Sequence, residues 1–351
     1  MRVFVVLFML IFSFLQAQER LYIYNWSEYM PKSVLKDFSK ETGIKIIYDT
    51  YDSNEEMHEK INSKGASSYD IIVPSTYCVN RMIREGLLQK IDKSKLTNYN
   101  NLDKKLLSQA FDAKNDYSIP YLWGTTGISY NPALVNYEID SWADLWNKEY
   151  KKSVLLNNDM REVFGVALKV LGYSSNSTNP KEIEAAYKKL LELKPNIKMY
   201  FSGSQTQIYL QEKVKLGMSF NGEGFMAQEK NEEKKLTKMI LNPDSIIGTK
   251  DESRVIKYIY PKEGVLVWMD SLVIPKNAKN VDSAHKFINY LLRPKVAKLI
   301  TRDIGYASPN LKAIELLDSV IRNNRTIYPT KEDLVNSEFQ IDVGNALDTY
   351  E

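Results

Sequence analysis

The chain has 351 residues, of which 44% are hydrophobic and 26% charged, and its formal net charge is +3. This composition is typical of a soluble globular protein, and the length exceeds what one hydrophobic core usually supports, so two lobes are expected. Lysine and glutamate are interspersed without a basic stripe, which argues against nucleic acid as a partner.

The first 18 residues have the layout of a cleaved export signal. Arg2 precedes a run of about a dozen apolar residues, and the small Ala17 ends the stretch. The run is too short to predict a lasting transmembrane helix. We therefore predict a signal peptide at residues 1–18 and a mature protein in the periplasm. Cys78 is the only cysteine, so no intrachain disulfide can form, and we expect a buried thiol.

The first third of the mature chain alternates short strands with helices. Strands are predicted at 21–25, 44–48 and 69–73, and helices at 31–42 and 54–63. This β-α-β-α-β order predicts a largely parallel sheet whose ligand sites lie beyond the C-terminal ends of its strands. Residues 26–29 and 74–77 follow the first and third strands. Both loops should therefore open on the same edge.

The rest of the chain adds further helices and short strands. Residues 117–130, rich in glycine and aromatic residues, are predicted to cross to a second lobe. Helices are expected at 141–150, 157–172, 181–193, 205–215, 281–292 and 294–303, strands at 154–156 and 264–275, and turns at 221–224 and 305–310. Residues 229–254 are rich in lysine and glutamate and are predicted to form a solvated excursion.

The strand at 264–275 (GVLVWMDSLVIP) carries the first candidate site. Because strand side chains alternate between faces, Leu266, Trp268 and Asp270 should share one side. An isolated carboxylate in an apolar strand is costly to bury, and a cation resting on the indole would offset that cost. The alternative is that Trp268 is a core residue and Asp270 begins a turn.

Asp159 and Glu162 form a second candidate pair, since carboxylates three residues apart at a helix start are neighbours on one face. The spacing favours N-terminal capping, because an acidic cap with another acid three residues on resembles a capping box. Two other interpretations stay open. A hydrolase could use the pair as acid and base, or the pair could bind a cation.

Other catalytic and cofactor chemistries find little support. His58 and His285 lie in predicted helices among polar neighbours, so each is interpreted as a surface or satisfied histidine. With one cysteine, neither a Cys/His zinc site nor a Cys-His nucleophile can be assembled. Residues 222–227 imitate a dinucleotide fingerprint but lie far from the first βαβ unit. No metal and no cofactor is expected.

The acidic residues point to a function when they are considered together. Glu28, Asp159, Glu162 and Asp270, with Glu223 as a further candidate, lie at predicted strand ends or turns. The same loops and strand ends carry the aromatic residues Trp26, Tyr29, Tyr77, Phe220, Trp268 and Tyr306. Carboxylates between aromatic walls suit a flexible polycation, whose ammonium groups need counter-charge and whose methylene segments need flat apolar surfaces.

Several segments also resemble a known family. They are 24–29 (YNWSEY), 73–77 (VPSTY), 115–121 (NDYSIPY), 141–146 (SWADLW), 161–164 (REVF), 268–271 (WMDS) and 304–306 (IGY). Together they strongly resemble the periplasmic spermidine/putrescine-binding proteins of bacterial ABC transporters. The similarity runs over nearly the whole mature chain.

The resemblance implies an α/β fold of the type II periplasmic-binding class. Each of two lobes would be a mixed sheet flanked by helices, with residues 19–126 and 268–312 in lobe 1 and residues 127–267 and 313–351 in lobe 2. The ligand, spermidine or putrescine, would lie in the cleft between the lobes. The protein would be a non-enzymatic monomer that delivers its polyamine to an inner-membrane ABC permease.

The resemblance also assigns the residues of the site. Trp26, Ser27, Glu28, Tyr29, Ser75 and Tyr77 would line the first-lobe side, and Asp159 and Glu162 would meet one amine from the second lobe. Trp268 and Asp270 would hold the chain and its inner amine, and Tyr306 and Gln340 would close the pocket.

Two features depart from the family pattern: residue 220 differs from the spermidine-preferring members, and the charged excursion at 229–254 is longer than the family's usual connection. Phe220 stands where those members carry a second cleft tryptophan, which keeps a flat wall but loses area and an N–H donor. Glu223 stands where putrescine-preferring relatives carry an acid. The preference between diamine and triamine therefore stays open, as do two other hypotheses: a secreted hydrolase using Asp159 and Glu162, and a binding protein for an amino acid, a sugar or another small solute.

Overall fold

A computed structural model describes residues 18–63, 69–241 and 255–351 of the chain. The predicted signal peptide, residues 1–17 of it, lies outside the described residues, as does the part of the charged excursion at 242–254. The strands are Arg20–Trp26 (β1), Lys45–Tyr51 (β2), Ile71–Ile72 (β3), Ser118–Tyr130 (β4), Val154–Leu156 (β5), Ile197–Tyr200 (β6), Leu216–Phe220 (β7), Lys257–Ile259 (β8), Leu266–Val273 (β9) and Glu338–Phe339 (β10).

Twelve α-helices lie within these described ranges. They are Lys32–Thr42 (α1), Asn54–Asn62 (α2), Thr76–Arg84 (α3), Met160–Val170 (α4), Pro180–Leu193 (α5), Gln205–Leu210 (α6), Asn221–Leu241 (α7), Val281–Leu291 (α8), Pro294–Ile304 (α9), Leu311–Leu316 (α10), Ser319–Arg322 (α11) and Leu347–Tyr350 (α12). The short helix predicted at 141–150 is instead two 3-10 segments, Trp142–Trp146 and Lys148–Tyr150. None of the described helices combines the length and the apolar composition needed to cross a bilayer.

The strands form one mixed sheet in the order β2-β1-β3-β9-β4-β7-β5-β6. β1 pairs in parallel with β2 and β3, which confirms the predicted β-α-β-α-β unit. β9 runs antiparallel to β3 and to residues 118–126 of β4, and residues 126–130 of β4 run antiparallel to β7. These two long strands therefore connect a first half of the sheet, β1 to β3, with a second half, β5 to β7.

Each half of the sheet is covered on both faces. Ile23 and Tyr24 are consecutive residues of β1, yet they belong to different hydrophobic clusters, one on each face. Leu155 and Leu156 of β5 divide in the same way. Alternation of side chains puts neighbours on opposite faces, and parallel strands buried on both faces need apolar residues throughout.

Helix ends follow their sequence signals closely. α1 begins after Pro31 and ends at Gly43, whose φ of 74° is in the left-handed region that glycine adopts without steric cost. α9 ends in the same way at Gly305, with φ of 84°. The second of these turns matters for function, because it directs the chain into Tyr306.

Two predictions for the second half are wrong. The helix predicted at 205–215 ends at Leu210, because Glu212 adopts φ of 54° and reverses the chain so that Val214 is buried before β7 begins. The turn predicted at 221–224 is the first turn of α7. Its glycines allow close packing instead. A side chain at Gly222 would place its Cβ 2.5 Å from the Tyr306 ring, which is too close.

The predicted excursion is also partly wrong. Residues from Glu229 to Leu241 continue α7 instead of forming an irregular segment. Lysine and glutamate are good helix formers, so a segment rich in both is as compatible with an exposed helix as with a solvated loop. Composition alone could not separate the two.

Candidate functional site

One cavity collects the ends of strands and the starts of helices from both halves of the sheet. All of the predicted site residues except Tyr77 line it: Trp26, Ser27, Glu28, Tyr29, Ser75, Asp159, Glu162, Phe220, Glu223, Trp268, Asp270, Tyr306 and Gln340. The loops after β1 and β3 both reach the cavity, which confirms that they open on the same edge. Whether each residue contacts a ligand stays a prediction.

The charge of the lining is entirely of one sign. Among the residues that the structure describes, six carboxylates line the cavity, from Glu28, Asp52, Asp159, Glu162, Glu223 and Asp270, and no lysine, arginine or histidine does. Like charges gathered in a partly desolvated space raise one another's pKa, and a cation would relieve that repulsion. The cavity is therefore suited to a ligand that carries positive charge.

Asp270 lies inside β9 and is only 4% exposed, so the alternative that it begins a turn is wrong. The Ser75 hydroxyl, just after β3, donates to Asp270 Oδ1 at 2.7 Å. Burial raises the pKa of Asp270 to about 7, and the hydroxyls of Ser75 and Tyr29 oppose that rise. Two neutral hydroxyls do not replace the hydration that the carboxylate has lost.

Aromatic rings form a continuous wall beside Asp270. Trp268 lies edge-on to Phe220 at 5.7 Å and to Tyr306 at 5.3 Å between ring centroids. Tyr306 in turn lies 5.3 Å from Tyr29. The Trp268 indole N–H donates to Thr126 Oγ1 at 3.2 Å. Trp268 belongs to a hydrophobic core cluster and also lines the cavity, so the core interpretation is confirmed and contact with a cation stays a prediction.

The Asp159 and Glu162 pair lies at the start of α4. Asp159 is the N-cap, and its Oδ1 accepts a hydrogen bond from the Glu162 backbone N–H at 3.0 Å, which confirms the capping prediction. The same two side chains line the cavity. Capping uses one oxygen of Asp159, and Glu162 contributes only its backbone N–H to the cap. Both carboxylates consequently keep an oxygen for other contacts.

Glu162 is the least satisfied of these carboxylates. The residue is 3% exposed, and its Oε2 is buried without a hydrogen-bond partner. Its pKa lies well above the usual range, first because of burial and next because of the charge of Asp159. The Arg161 guanidinium opposes this rise, but it donates to the carbonyl of Ile341 and the side chain of Asn176 instead of to a carboxylate.

Tyr77 is behind the lining instead of in it. Its hydroxyl lies 3.1 Å from Glu55 Oε1 and 3.3 Å from Asp159 Oδ2, so it joins α2 and α3 to the start of α4. The Arg161 guanidinium lies over the Tyr77 ring, 5.6 Å from its centroid. In this arrangement Tyr77 orients Asp159.

The sequence analysis missed five residues of the lining: Asp52, Asn54, Ser202, Gly203 and Ser204. They follow β2 and β6, so the rule that sites lie beyond strand ends would have found them had it been applied to those strands. Asn54 accepts from the Ser75 backbone N–H at 3.2 Å, and Ser202 accepts from the Asn158 backbone N–H at 2.8 Å. Asn54 thus holds the backbone of the predicted site residue Ser75, and Ser202 holds the residue before Asp159.

The two histidines, the cysteine and possible metal ligands have ordinary surroundings in the described ranges of the chain. No group of three or more His, Cys, Asp or Glu residues in them could hold a metal ion. His58 lies 2.6 Å from Glu85, and His285 accepts from the Asp92 backbone N–H, so both are satisfied as predicted. Cys78 is buried, and burial raises the pKa of its thiol well above its usual value.

Comparison with known proteins agrees with this geometry. Residues 33–326 match the family model described as bacterial extracellular solute-binding protein. A spermidine/putrescine-binding periplasmic protein of Escherichia coli is 49% identical, covering 94% of this chain and 89% of the relative. A putrescine-binding periplasmic protein of Escherichia coli is 34% identical over 89% of this chain and 84% of its own length.

The fold is shared as well. A solved structure described as a putative spermidine/putrescine ABC transporter from Listeria monocytogenes aligns with a TM-score of 0.85. The two sequences are 39% identical, and the alignment covers 95% of this chain and 96% of the neighbour. The family model matches most of the chain, and the relative and the solved structure cover still more of it, so the chain belongs to the bacterial extracellular solute-binding protein family.

Proposed function

We propose that this protein binds a polyamine, spermidine or putrescine, in the acidic cavity and delivers it to an ABC permease in the inner membrane. One observation carries the proposal: six carboxylates line a single cavity, and no basic side chain in the described part of the chain does. The names of the similar proteins from Escherichia coli support the same ligand class.

The physical case rests on mutual neutralisation. Ammonium groups would relieve both the desolvation of Asp270 and the unpartnered oxygen of Glu162. Methylene segments between the ammonium groups would lie against Trp268, Phe220 and Tyr306, where aromatic faces also attract cations. A polyamine supplies both features in one flexible chain.

Other solutes fit this lining less well. An amino acid carries a carboxylate that needs a basic partner, and the lining offers none. A sugar is neutral, so it would leave the six carboxylates without counter-charge. We therefore place a polycation ahead of both.

A hydrolase would use Asp159 and Glu162 as acid and base, and the raised pKa of Glu162 would suit the acid. However, Asp159 is held on both sides, by the Glu162 N–H at 3.0 Å and by the Tyr77 hydroxyl at 3.3 Å. A carboxylate fixed in this way is better suited to binding an ammonium group than to activating a water molecule. We propose a binding protein without catalytic activity.

Transport imposes further requirements. We propose export through a signal peptide at 1–18, a periplasmic monomer, and two lobes with the boundaries given above. The ligand would contact both lobes and so stabilise the closed arrangement relative to the open one. Permease subunits would then recognise the loaded protein.

The decisive experiment is calorimetric titration of the mature protein with spermidine, putrescine and cadaverine at moderate salt. Carried ligand is first removed by dialysis under denaturing conditions and refolding. One-to-one binding of any of the three supports the proposal. Lysine and 1,4-butanediol are the controls, because the first adds a carboxylate and the second replaces both ammonium groups with hydroxyls. Equal binding of butanediol and putrescine would contradict a charge-based site.

A further inference from the structure

The position of the Glu223 carboxylate depends on a residue from a different element. Glu223 lies in the first turn of α7 and lines the cavity. The backbone N–H and the hydroxyl of Thr206, in α6, both lie 2.7 Å from Glu223 Oε2. Thr206 is 1% exposed, so no solvent competes for these contacts. Both donors approach the same oxygen, which fixes the orientation of the carboxylate.

The second oxygen of Glu223 is left for the cavity. Within the described residues no side chain or backbone group donates a hydrogen bond to Oε1. Burial and the nearby charge of Glu28 both raise the pKa of Glu223, whereas the two bonds from Thr206 lower it. The bonds from Thr206 therefore favour the ionised form of Glu223 against the effect of burial, and Oε1 receives no hydrogen bond from the described residues.

The residue before Thr206 braces the other side of the same region. Gln205 is fully buried, its Oε1 accepts from the Phe220 backbone N–H at 3.1 Å, and its Nε2 donates to Asn157 Oδ1 at 2.7 Å. Phe220 and Glu223 both line the cavity. Consecutive residues of α6 thus hold both of them.

We propose that Thr206 is a positioning residue that sets which polyamine the cavity prefers, by orienting the Glu223 carboxylate toward an ammonium group. This inference rests on the proposed function and adds to it a determinant of specificity. Thr206 itself touches no ligand in this arrangement, because both of its donors are used on Glu223.

The test is a double-mutant cycle with the full mature protein, measured by calorimetry with putrescine and with spermidine. Thr206→Val removes the hydroxyl at nearly constant volume, and Thr206→Ser keeps it. We expect Glu223→Gln and Thr206→Val to weaken the same polyamine, Thr206→Val by about tenfold, as expected for one lost hydrogen bond to a charged group. Thr206→Ser should bind as the wild type does.

The cycle distinguishes positioning from a structural role. In the Glu223→Gln background, Thr206→Val should cause no further loss, because it has no carboxylate left to orient. An NMR titration of the Glu223 carboxyl gives a readout without ligand: its pKa should rise in Thr206→Val and return in Thr206→Ser. A wild-type affinity in Thr206→Val, or an equal loss in both backgrounds, overturns the inference. Failure of the wild-type protein to bind either polyamine overturns the proposed function instead.

Discussion

Asp270 and Asp159 are acidic residues of the same cavity, but they are held by different kinds of structure. Asp270 lies within a buried strand, where the backbone groups are used in sheet pairing and one serine hydroxyl donates to the carboxylate. Asp159 lies at a helix start, where a free backbone N–H donates to it. A helix N-terminus stabilises negative charge through its unpaired N–H groups, and the middle of a strand does not. The strand carboxylate therefore depends more on the ligand.

The strongest test of this difference is Asp270→Asn. We expect affinity for the preferred polyamine to fall by about 100-fold to 4,000-fold, since breaking a buried ion pair costs about 3–5 kcal/mol. Above pH 7 the empty variant should also be more stable than the wild type, because a desolvated charge is gone. Calorimetry and thermal unfolding measure the two effects.

Asp282→Asn is the matched control for this change, because its carboxylate is exposed and pairs only with Lys95. Asp282→Asn should change neither the affinity for polyamine nor the stability of the empty protein. An Asp270→Asn variant with wild-type affinity would remove Asp270 from the site.

The second test is the pH dependence of stability and of ligand affinity. The pKa of Asp270 is raised from 3.8 to about 7, so the empty folded protein binds a proton that the unfolded chain has lost. The stability that this proton contributes is complete below pH 4 and is lost as the pH rises through 7. Glu162 shifts in the same direction.

Ligand affinity should change with the opposite sign, because an ammonium group replaces the proton. Between pH 5 and pH 7 we expect a rise of about tenfold per pH unit for each carboxyl that must ionise. Calorimetry in buffers of different ionisation enthalpy counts the protons released. In Asp270→Asn the pH dependence should flatten; an unchanged slope would show that other groups cause it.

The third test separates capping from binding at Asp159. Asparagine caps a helix about as well as aspartate, whereas alanine does not, at a cost of about 1 kcal/mol. Asp159→Asn should therefore keep the stability of the empty protein and lose affinity by about 30-fold, the value of one hydrogen bond to a charged group. Asp159→Ala should lower both the stability of the empty protein and the affinity for polyamine.

Denaturant unfolding of the empty variants, alongside titration with polyamine, measures each effect separately. Equal destabilisation by asparagine and alanine would mean that the charge itself, and not the capping hydrogen bond, stabilises α4. Asp159 would then depend on its charge as Asp270 does, in spite of the different hydrogen bonds that the two residues make.

The smallest expected effect concerns the aromatic wall. Trp268→Leu should weaken binding by about tenfold, because the cation contact with the indole face is lost. Trp268→Phe keeps a flat ring and should lose less. Titration of both variants checks this order, and a leucine variant that binds as well as the phenylalanine variant would assign the residue to the core alone.

Much of the first half of the sheet could be predicted from sequence, because its signals are local. β1, α1, β2 and α2 each have a clear apolar period or a terminal proline or glycine, and the strand-end rule then placed 26–29 and 74–77 on one edge. The second half was harder. The glycines of 221–224 and the charges of 229–241 have two local interpretations each. For the glycines, the helix is accompanied by close packing of Gly222 against Tyr306 and of Gly224 against Tyr258, which no local pattern records.

The sequence by itself determined the family, the alternating α/β order and the chemical character of the site, because these depend on residue type and on local spacing. Only the tertiary structure decided which side chains hold each acidic residue in place. Glu223 and Thr206 are 17 positions apart, and Asp270 and Ser75 are 195 apart, so neither hydrogen bond leaves a periodic signal. Tyr77 likewise looked like part of the lining, and the fold placed it behind Asp159. Contacts between distant segments follow from how helices and strands pack together, and no local pattern records them.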